Sequence, residues 1–457
     1  MYLDGSSWQE RYFCDEIYTL RCRIVDKPGM LGRVISAIGE CGGHVGDVHF
    51  AGLCDETKSR DITVFCDAEQ LKTIMSAVNA VNGAEVDNVV DEVFETHRRG
   101  AIETFSRMPI QSLSDLRMIY TPGVASVCKK IEKDPDTAWE WTGICDRVAI
   151  VTNGTAVLGL GDIGSVPSLP VMEGKAAIFA EFTGISAVPV LIDSKDIDTI
   201  VETVTLTAGS YGAIQLEDIA APACFEIEEK LQSRLDIPVL HDDQHGTATI
   251  LLSALITALK QTNRKAKDCS AIILGAGAAG IAISKILLDF GIKDILVYDS
   301  AGAVYKGRTK GMNKYKEELA EITNKDCFKG DLLEGFKGRD IFIGVARPNM
   351  VSKKMIAAMA NGPIVFPLSN PVGEISREEA AEAGAAVTAD GRDINNALAY
   401  PGLFRGALNG RAKKITLKMQ IAAAKTIAEL TPEGRLLPDI LDRGVHMQVA
   451  DAVEEAI

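Results

Sequence analysis

No two of the ten cysteines, scattered from Cys14 to Cys327, stand in a C-x-x-C pair. A structural zinc site and a thioredoxin-like redox motif are therefore without support. Residues 1–10 are polar and lack the apolar stretch of a signal peptide. A chain of 457 residues can also stabilise itself by core burial rather than by disulfides. Reduced thiols in a cytoplasm are expected. No apolar run reaches the about 18 residues that a membrane span needs. Positive charge is also short: the net charge of −15 argues against nucleic acid and anionic membrane as partners. It leaves room for a locally basic pocket that takes a small anion. Internal repeats and low-complexity segments are absent. The 47% hydrophobic and 24% charged residues are those of an ordinary folded chain. At roughly 150 residues per domain, about three domains are expected.

The first region, 12–96, alternates strand and helix patterns. Ile17–Val25 (IYTLRCRIV) alternates apolar and polar residues like a half-buried strand. Asp26-Lys27-Pro28-Gly29 then turns the chain, and Met30, Leu31, Val34, Ile35 and Ile38 carry helical spacing up to Cys41-Gly42-Gly43. Residues 44–51 and 61–66 read as strands, 71–78 as a helix and 84–94 as a last strand. This order, with D-K-P-G-M-L-G at the first turn, resembles an ACT domain, a small ferredoxin-like regulatory module. The resemblance implies a small-molecule effector, with Gly29 and Gly32 letting backbone amides approach a carboxylate at a helix N-terminus. The same glycines also suit a plain tight turn, and ACT-like folds also serve as dimerisation surfaces.

His97-Arg98-Arg99-Gly100 is a charged hinge into a second region, 97–245, which mixes apolar strands (148–152, 185–192, 213–216, 237–240) with helices. A third region, 246–400, opens with a helical stretch at 247–260. A βαβ pattern follows: Ser270–Leu274, a glycine turn, 281–288 and 295–298. Beyond Pro401, residues 401–457 read as helices packing back on the rest.

The glycine turn is Gly275-Ala276-Gly277-Ala278-Ala279-Gly280, after the run AIIL and opening a helix. In that context G-x-G-x-x-G reads as a dinucleotide site. The first glycine permits the turn, the second admits the pyrophosphate and the third lets helix and strand pack. Asp299 closes the next apolar strand, where a carboxylate can accept from the ribose hydroxyls of NAD and repel a 2′-phosphate. Lys306 and Arg308 follow closely, so NAD is favoured and NADP is not excluded.

Upstream stand Tyr120-Thr121-Pro122-Gly123-Val124, Gly159-Leu160-Gly161-Asp162-Ile163-Gly164, Pro170-Val171-Met172-Glu173-Gly174-Lys175, Gln215-Leu216-Glu217-Asp218-Ile219 and His241-Asp242-Asp243-Gln244-His245-Gly246-Thr247. From about residue 105 onwards these motifs together closely resemble the malic enzyme family. The resemblance implies an α/β catalytic domain, a Rossmann NAD-binding domain and oxidative decarboxylation of L-malate to pyruvate and CO2. Glu217, Asp218 and Asp243 then correspond to divalent-metal ligands, Tyr120 to the general acid and Lys175 to the general base. Asn370 (in Leu368-Ser369-Asn370-Pro371) and Asn396 (in Asn395-Asn396-Ala397-Leu398) correspond to substrate contacts. The family and an ACT module both imply a homo-oligomer, a dimer or larger.

The chemistry is consistent with those residue types. A hard cation on carboxylate oxygens can hold malate's hydroxyl and α-carboxylate together and polarise the ketone that forms. Three carboxylates without thiolate or paired imidazoles suit Mg2+ or Mn2+ rather than zinc. Adjacent Glu217 and Asp218 face opposite ways on a regular strand, so sharing one ion requires a strand end or a bend. Lys175 as a base requires an amine made neutral by metal and burial. His241 and His245 are expected as buried, hydrogen-bonded histidines. Asp162 serves equally as a turn former or as support near the metal.

The sequence departs from the larger malic enzymes at Ala156, where they carry an arginine for the substrate carboxylate; Arg347 and Arg405 are candidate replacements. Three rivals remain at this point. A malolactic-type enzyme has the same fold and a lactate product. A metal-independent amino-acid dehydrogenase also joins a lysine to a Rossmann domain. A non-catalytic sensor would use the ACT-like domain alone.

Overall fold

The structure, a computed structural model, describes residues 16–54 and 56–457, so the expected domain start at 12 and Cys14 lie outside the described residues. The chain divides into two compact units, Met1–Glu103 and Thr104–Ile457.

The first unit runs β1 (Ile17–Val25), α1 (Met30–Glu40), β2 (His44–Cys54), β3 (Thr57–Phe65), α2 (Ala68–Ala80) and β4 (Ala84–Asp91). Its sheet has the order β2-β3-β1-β4, antiparallel throughout. Alternate residues of β1 (Leu20, Cys22, Ile24) meet Val34 and Ile38 of α1 and Ile74 and Val78 of α2, so both helices cover one face. The last strand is shorter than its apolar pattern suggests. The Asp91 carboxylate accepts from the N–H groups of Val93 and Phe94 and caps a short helix, Glu92–Thr96.

The second unit begins with α3 (Leu113–Ile119) and α4 (Val124–Lys133), neither of which buries a residue. A parallel sheet of order β6-β5-β7-β8 follows, from β5 (Arg147–Thr152), β6 (Ser186–Leu191), β7 (Ala213–Leu216) and β8 (Val239–His241). Between these strands lie α5 (Leu169–Thr183) and α6 (Ala223–Arg234). β5, β7 and β8 are mainly apolar and almost wholly buried on both faces, as strands flanked by helices must be.

Helix α7 (Asp242–Gln261) leaves β8 without a loop and begins five residues before the periodic stretch at 247. The apolar spacing fades there because Asp242, Asp243, Gln244 and His245 form the first turn, so polar residues buried for function hide the helix start. A second sheet, of order β11-β10-β9-β12-β13-β14, is parallel apart from the β10–β11 pair. Its strands are β9 (Ser270–Leu274), β10 (Asp294–Asp299), β11 (Gly302–Ala303), β12 (Ile341–Gly344), β13 (Ile364–Pro367) and β14 (Val387–Thr388), with α8 (Ala278–Phe290) joining β9 to β10. The C-terminal helices α9 (Tyr400–Asn409), α10 (Leu417–Glu429) and α11 (Arg443–Glu455) pack on one another, on α5 and on α7. The free thiols of Cys22, Cys41, Cys66, Cys128, Cys145, Cys224, Cys269 and Cys327 are unbridged.

Candidate active site

In an open parallel sheet, functional groups collect beyond the carboxyl ends of the strands. Glu217 and Asp218 follow the last residue of β7, and Asp243 lies one residue into α7, just beyond neighbouring β8. The adjacent acids converge because the backbone bends between them: Asp218 has φ +53, the left-handed region that costs a non-glycine residue about 1 kcal/mol. Two contacts hold the bend. The Asp218 N–H donates to Asp243 Oδ2 at 3.0 Å, and its carbonyl accepts from the Ala156 N–H at 2.9 Å. One carboxylate oxygen from each of Glu217, Asp218 and Asp243 then lies within 4.8 Å of the others.

Lys175, on α5, reaches the same place. Its Nζ donates to Asp242 Oδ2 at 2.6 Å and stands 3.1 Å from Glu217 Oε1. The ring of Tyr400 lies under it, 4.7 Å from Nζ. Asn396 completes the cluster, its Nδ2 donating to Asp242 Oδ2 at 2.8 Å. Asp242 stands in the H-D-D-Q-H-G-T motif, where short-range spacing assigns it no part, yet it is fully buried and joins Lys175 to Asn396. The available signal was Gly246. A Cβ there would come 1.8 Å from Asp242 Oδ1, so a glycine within a helix, at the fourth residue after an acid, marks a side chain folded back over it.

Charge explains the titration of these groups. Burial pushes Lys175 down, but the carboxylates of Asp242 and Glu217 outweigh it and hold the ammonium well above its usual range. The neutral amine expected of a base is therefore not the state these side chains favour by themselves. Burial raises Glu217 well above the carboxylate range, and burial together with Asp243 carries Asp218 up to about 7. Asp218 Oδ2 is buried without a hydrogen-bond partner. Three crowded carboxylates with an orphaned buried oxygen fit a hard divalent cation, which supplies the missing counter-charge and an oxygen-loving ligand shell.

The second sheet carries the glycine turn at the end of β9. Gly275 has φ +122, and a Cβ there would meet the Val345 carbonyl at 2.5 Å. A Cβ on Gly280 would meet the Gly275 carbonyl at 1.9 Å, whereas one on Gly277 would meet nothing within 4 Å. Ala278 and Ala279 open α8, which has no side-chain cap, so its first amides stay free for an anion such as a pyrophosphate. This cradle fits a dinucleotide.

Asp299 ends β10 beside the turn, the Gly275 N–H donating to the Tyr298 carbonyl at 2.8 Å. Its carboxylate is already engaged. It accepts from Arg308 Nη1 at 2.7 Å and Nη2 at 2.5 Å, Lys316 Nζ at 2.6 Å and the Ala301 N–H at 2.8 Å. Burial would raise Asp299, but Arg308 and Lys316 hold it down at about 2. Lys306, by contrast, pairs with Glu321.

The other sequence candidates disperse. Tyr120, the C-cap of α3, is 68% exposed, and none of the hydrogen bonds, ion pairs or ring contacts described for Lys175 involves it. Asn370 is half-buried beyond β13. The adjacent Pro371 faces the G-L-G-D loop, where a Cβ on Gly159 would lie 3.9 Å from its Cδ. Asp162 pairs with Lys195 at the surface. His245 pairs with Glu228 at 3.1 Å. His241 is fully buried, but neither ring nitrogen has a hydrogen-bond partner, contrary to expectation. Arg405 is held by Asp146 at 2.8 Å, and Arg347 is exposed beyond β12. In the first unit Gly29 has φ +84 directly before α1, and Gly32 lies in its first turn.

Fold and site together define a dinucleotide-binding α/β protein with a carboxylate centre suited to a divalent cation. Residues 99–232 match the malic enzyme N-terminal domain and residues 244–394 the malic enzyme NAD binding domain. An NAD-dependent malic enzyme of Geobacillus stearothermophilus is 44% identical over 434 residues, 93% of this chain and 90% of that protein. A bifunctional malic/malolactic enzyme of Bacillus subtilis (strain 168) is 44% identical over 80% of this chain and 92% of its own length. The crystal structure of an NAD-dependent malic enzyme from Thermotoga maritima superposes with a TM-score of 0.76 at 40% identity, over 79% of this chain and 98% of that one. The chain belongs to the malic enzyme family.

Proposed function

We propose that the chain oxidises L-malate with NAD and releases CO2 and pyruvate, using Mg2+ or Mn2+ held by Glu217, Asp218 and Asp243. The observation that carries this reading is the convergence of those three carboxylates on one point, with Glu217 3.1 Å from Lys175, in one compact unit with the glycine turn. The bound cation supplies Lewis-acid polarisation of the hydroxyl and of the ketone that replaces it. With a cation on Glu217 offsetting the carboxylates that favour its ammonium form, Lys175 would serve at Nζ as base for the hydroxyl proton. Asp242 is a positioning residue that fixes Lys175, and Asn396 orients Asp242 while facing substrate. Asn370, half-buried beyond β13, is the second substrate contact. The test is a spectrophotometric assay with malate, comparing NAD with NADP, and Mn2+ with EDTA. No NADH formation under any of these conditions, or activity indifferent to EDTA, overturns the reading.

Two finer points rest on particular observations. The 44% identical Bacillus subtilis relative bears a malic/malolactic name, so product analysis decides between pyruvate and lactate here. Asp299 faces two cations, which leaves a net positive charge where a ribose 2′-phosphate would sit; NADP is therefore accepted alongside NAD. Relatives at 39–42% identity with NADP-dependent names support that reading.

For the organisation of the chain we assign 12–96 to an ACT-like regulatory domain, 97–245 to the malic catalytic domain, 246–400 to the Rossmann domain and 401–457 to helices packed on both. The β2-β3-β1-β4 order supports the ferredoxin-like assignment. The uncapped α1, with open space around Gly29 and Gly32, supports a carboxylate effector there. No described helix is long and apolar enough to cross a membrane, and a cytoplasmic enzyme is proposed.

The proposed assembly is a homodimer or larger. Segment 104–141 carries Tyr120 but exposes Phe105, Leu113 and Met118, by 78%, 76% and 59%. A second copy covering this arm would bring the phenol of Tyr120 to a Lys175 site as the general acid.

A further inference from the structure

We propose that Arg117 of a second copy of this chain grips the malate carboxylate for which the chain's own site has no cation. The proposal rests on the malate reading above and deepens it.

Malate is a dianion, and the cations described in contact with the candidate site are committed, while Arg347 stands exposed beyond β12 of the other sheet. Lys175 is shared by Asp242 and Glu217. Arg405 belongs to Asp146, and Arg308 and Lys316 belong to Asp299. Ala156, the residue whose amide supports Asp218, is too short to reach a substrate. Burying an unpaired carboxylate costs several kcal/mol, so the second carboxylate needs a cation from somewhere else.

Arg117 is free to supply it. It is exposed and forms no ion pair among the described residues. It lies three residues before Tyr120, one helical turn away and on the same face of the arm. The turn between them is closed: the Gly123 N–H donates to the Arg117 carbonyl at 2.9 Å, and a Cβ on Gly123 would meet that oxygen at 2.4 Å. Arg117 and Tyr120 therefore travel as one block.

Two observations name the occupant as another copy. Helices α3 and α4 bury none of their residues, so the arm's apolar side chains lack a covering surface. Charge is complementary as well. Lys129, Lys130 and Lys133 outnumber Glu132 on α4, while Glu217, Asp218, Asp242 and Asp243 gather at the site. A two-fold dimer satisfies both deficits reciprocally, each arm completing the other copy's site.

The test uses the full chain. Arg117→Ala is expected to lower kcat/KM for malate by about 10- to 100-fold, the scale of a lost charge-assisted contact. KM for malate should rise, KM for NAD should stay unchanged, and Arg117→Lys should recover part of the loss. Co-expressing the R117A chain with a K175A chain should restore about one quarter of wild-type activity, because half of randomly assorted dimers carry one intact site. An unchanged malate KM in R117A, or a rise found instead in R347A, overturns the assignment. R117A defective without recovery on mixing places Arg117 within its own chain and removes the second copy. A wild-type chain that leaves malate untouched removes the substrate reading, and this proposal with it.

Discussion

Gly246→Ala separates an argument from local propensity from one based on the tertiary site. Gly246 sits inside α7, where alanine is favoured over glycine by about 1 kcal/mol. On helix propensity alone the variant is more stable. The added methyl, however, would lie 1.8 Å from Asp242 Oδ1 and 3.5 Å from Asn396 Cβ. The carboxylate must swing aside, yet its other oxygen is held at 2.6 Å by Lys175 and 2.8 Å by Asn396. Loosening a largely buried ion pair costs about 3–5 kcal/mol. Set against the propensity gain, the net loss is about 2–4 kcal/mol, or about 3–5 °C in Tm for a unit of this size. Displacing the residue that positions Lys175 should also lower kcat by about 10^2, the scale of a lost general base. Differential scanning fluorimetry and steady-state assay with malate check both. A G246A enzyme with raised Tm and wild-type kcat would refute the role given to Asp242.

Lys175→Ala is expected to lower turnover by at least about 10^2 with folding intact by circular dichroism. Mn2+ should raise the Tm of the wild-type chain and not that of Asp218→Asn or Asp243→Ala; equal shifts in all three would reject these ligands. Asp299→Asn leaves Arg308 and Lys316 without their counter-charge, so calorimetry should show tighter binding of 2′,5′-ADP relative to 5′-AMP, which Lys316→Gln reverses. Asp299 is held at about 2, below the usual 3.8, so its ion pairs stabilise the fold fully above about pH 4 and progressively less as pH falls towards 2. The stability gap between wild type and D299N, about 2 kcal/mol at neutral pH, should therefore close on acidification. A gap that widens in acid reverses the sign of the argument.

Local patterns carried much of the fold. The β1, β7 and β9 strands coincide with their apolar runs, because strands buried on alternate or both faces announce themselves by side-chain type. The start of α7 was hidden, since its first turn is polar and buried for the sake of the site. The same cause hid Asp242, whose partners Lys175 and Asn396 lie 67 and 154 residues away in the chain.

What the sequence determined alone was the list of parts: the glycine turn, the paired acids, the lysine and the phenol, legible because each requires particular residue types at short spacing. Tertiary structure decided how they are shared out. It bent Asp218 into the left-handed region so that adjacent acids face one point, surrounded Asp299 with two cations, and turned Tyr120 and Arg117 outward. Those outcomes depend on contacts outside any one motif, Asp218 with Asp243 25 positions on and Asp299 with Lys316 17 positions on, and short-range spacing carries no record of distance in space.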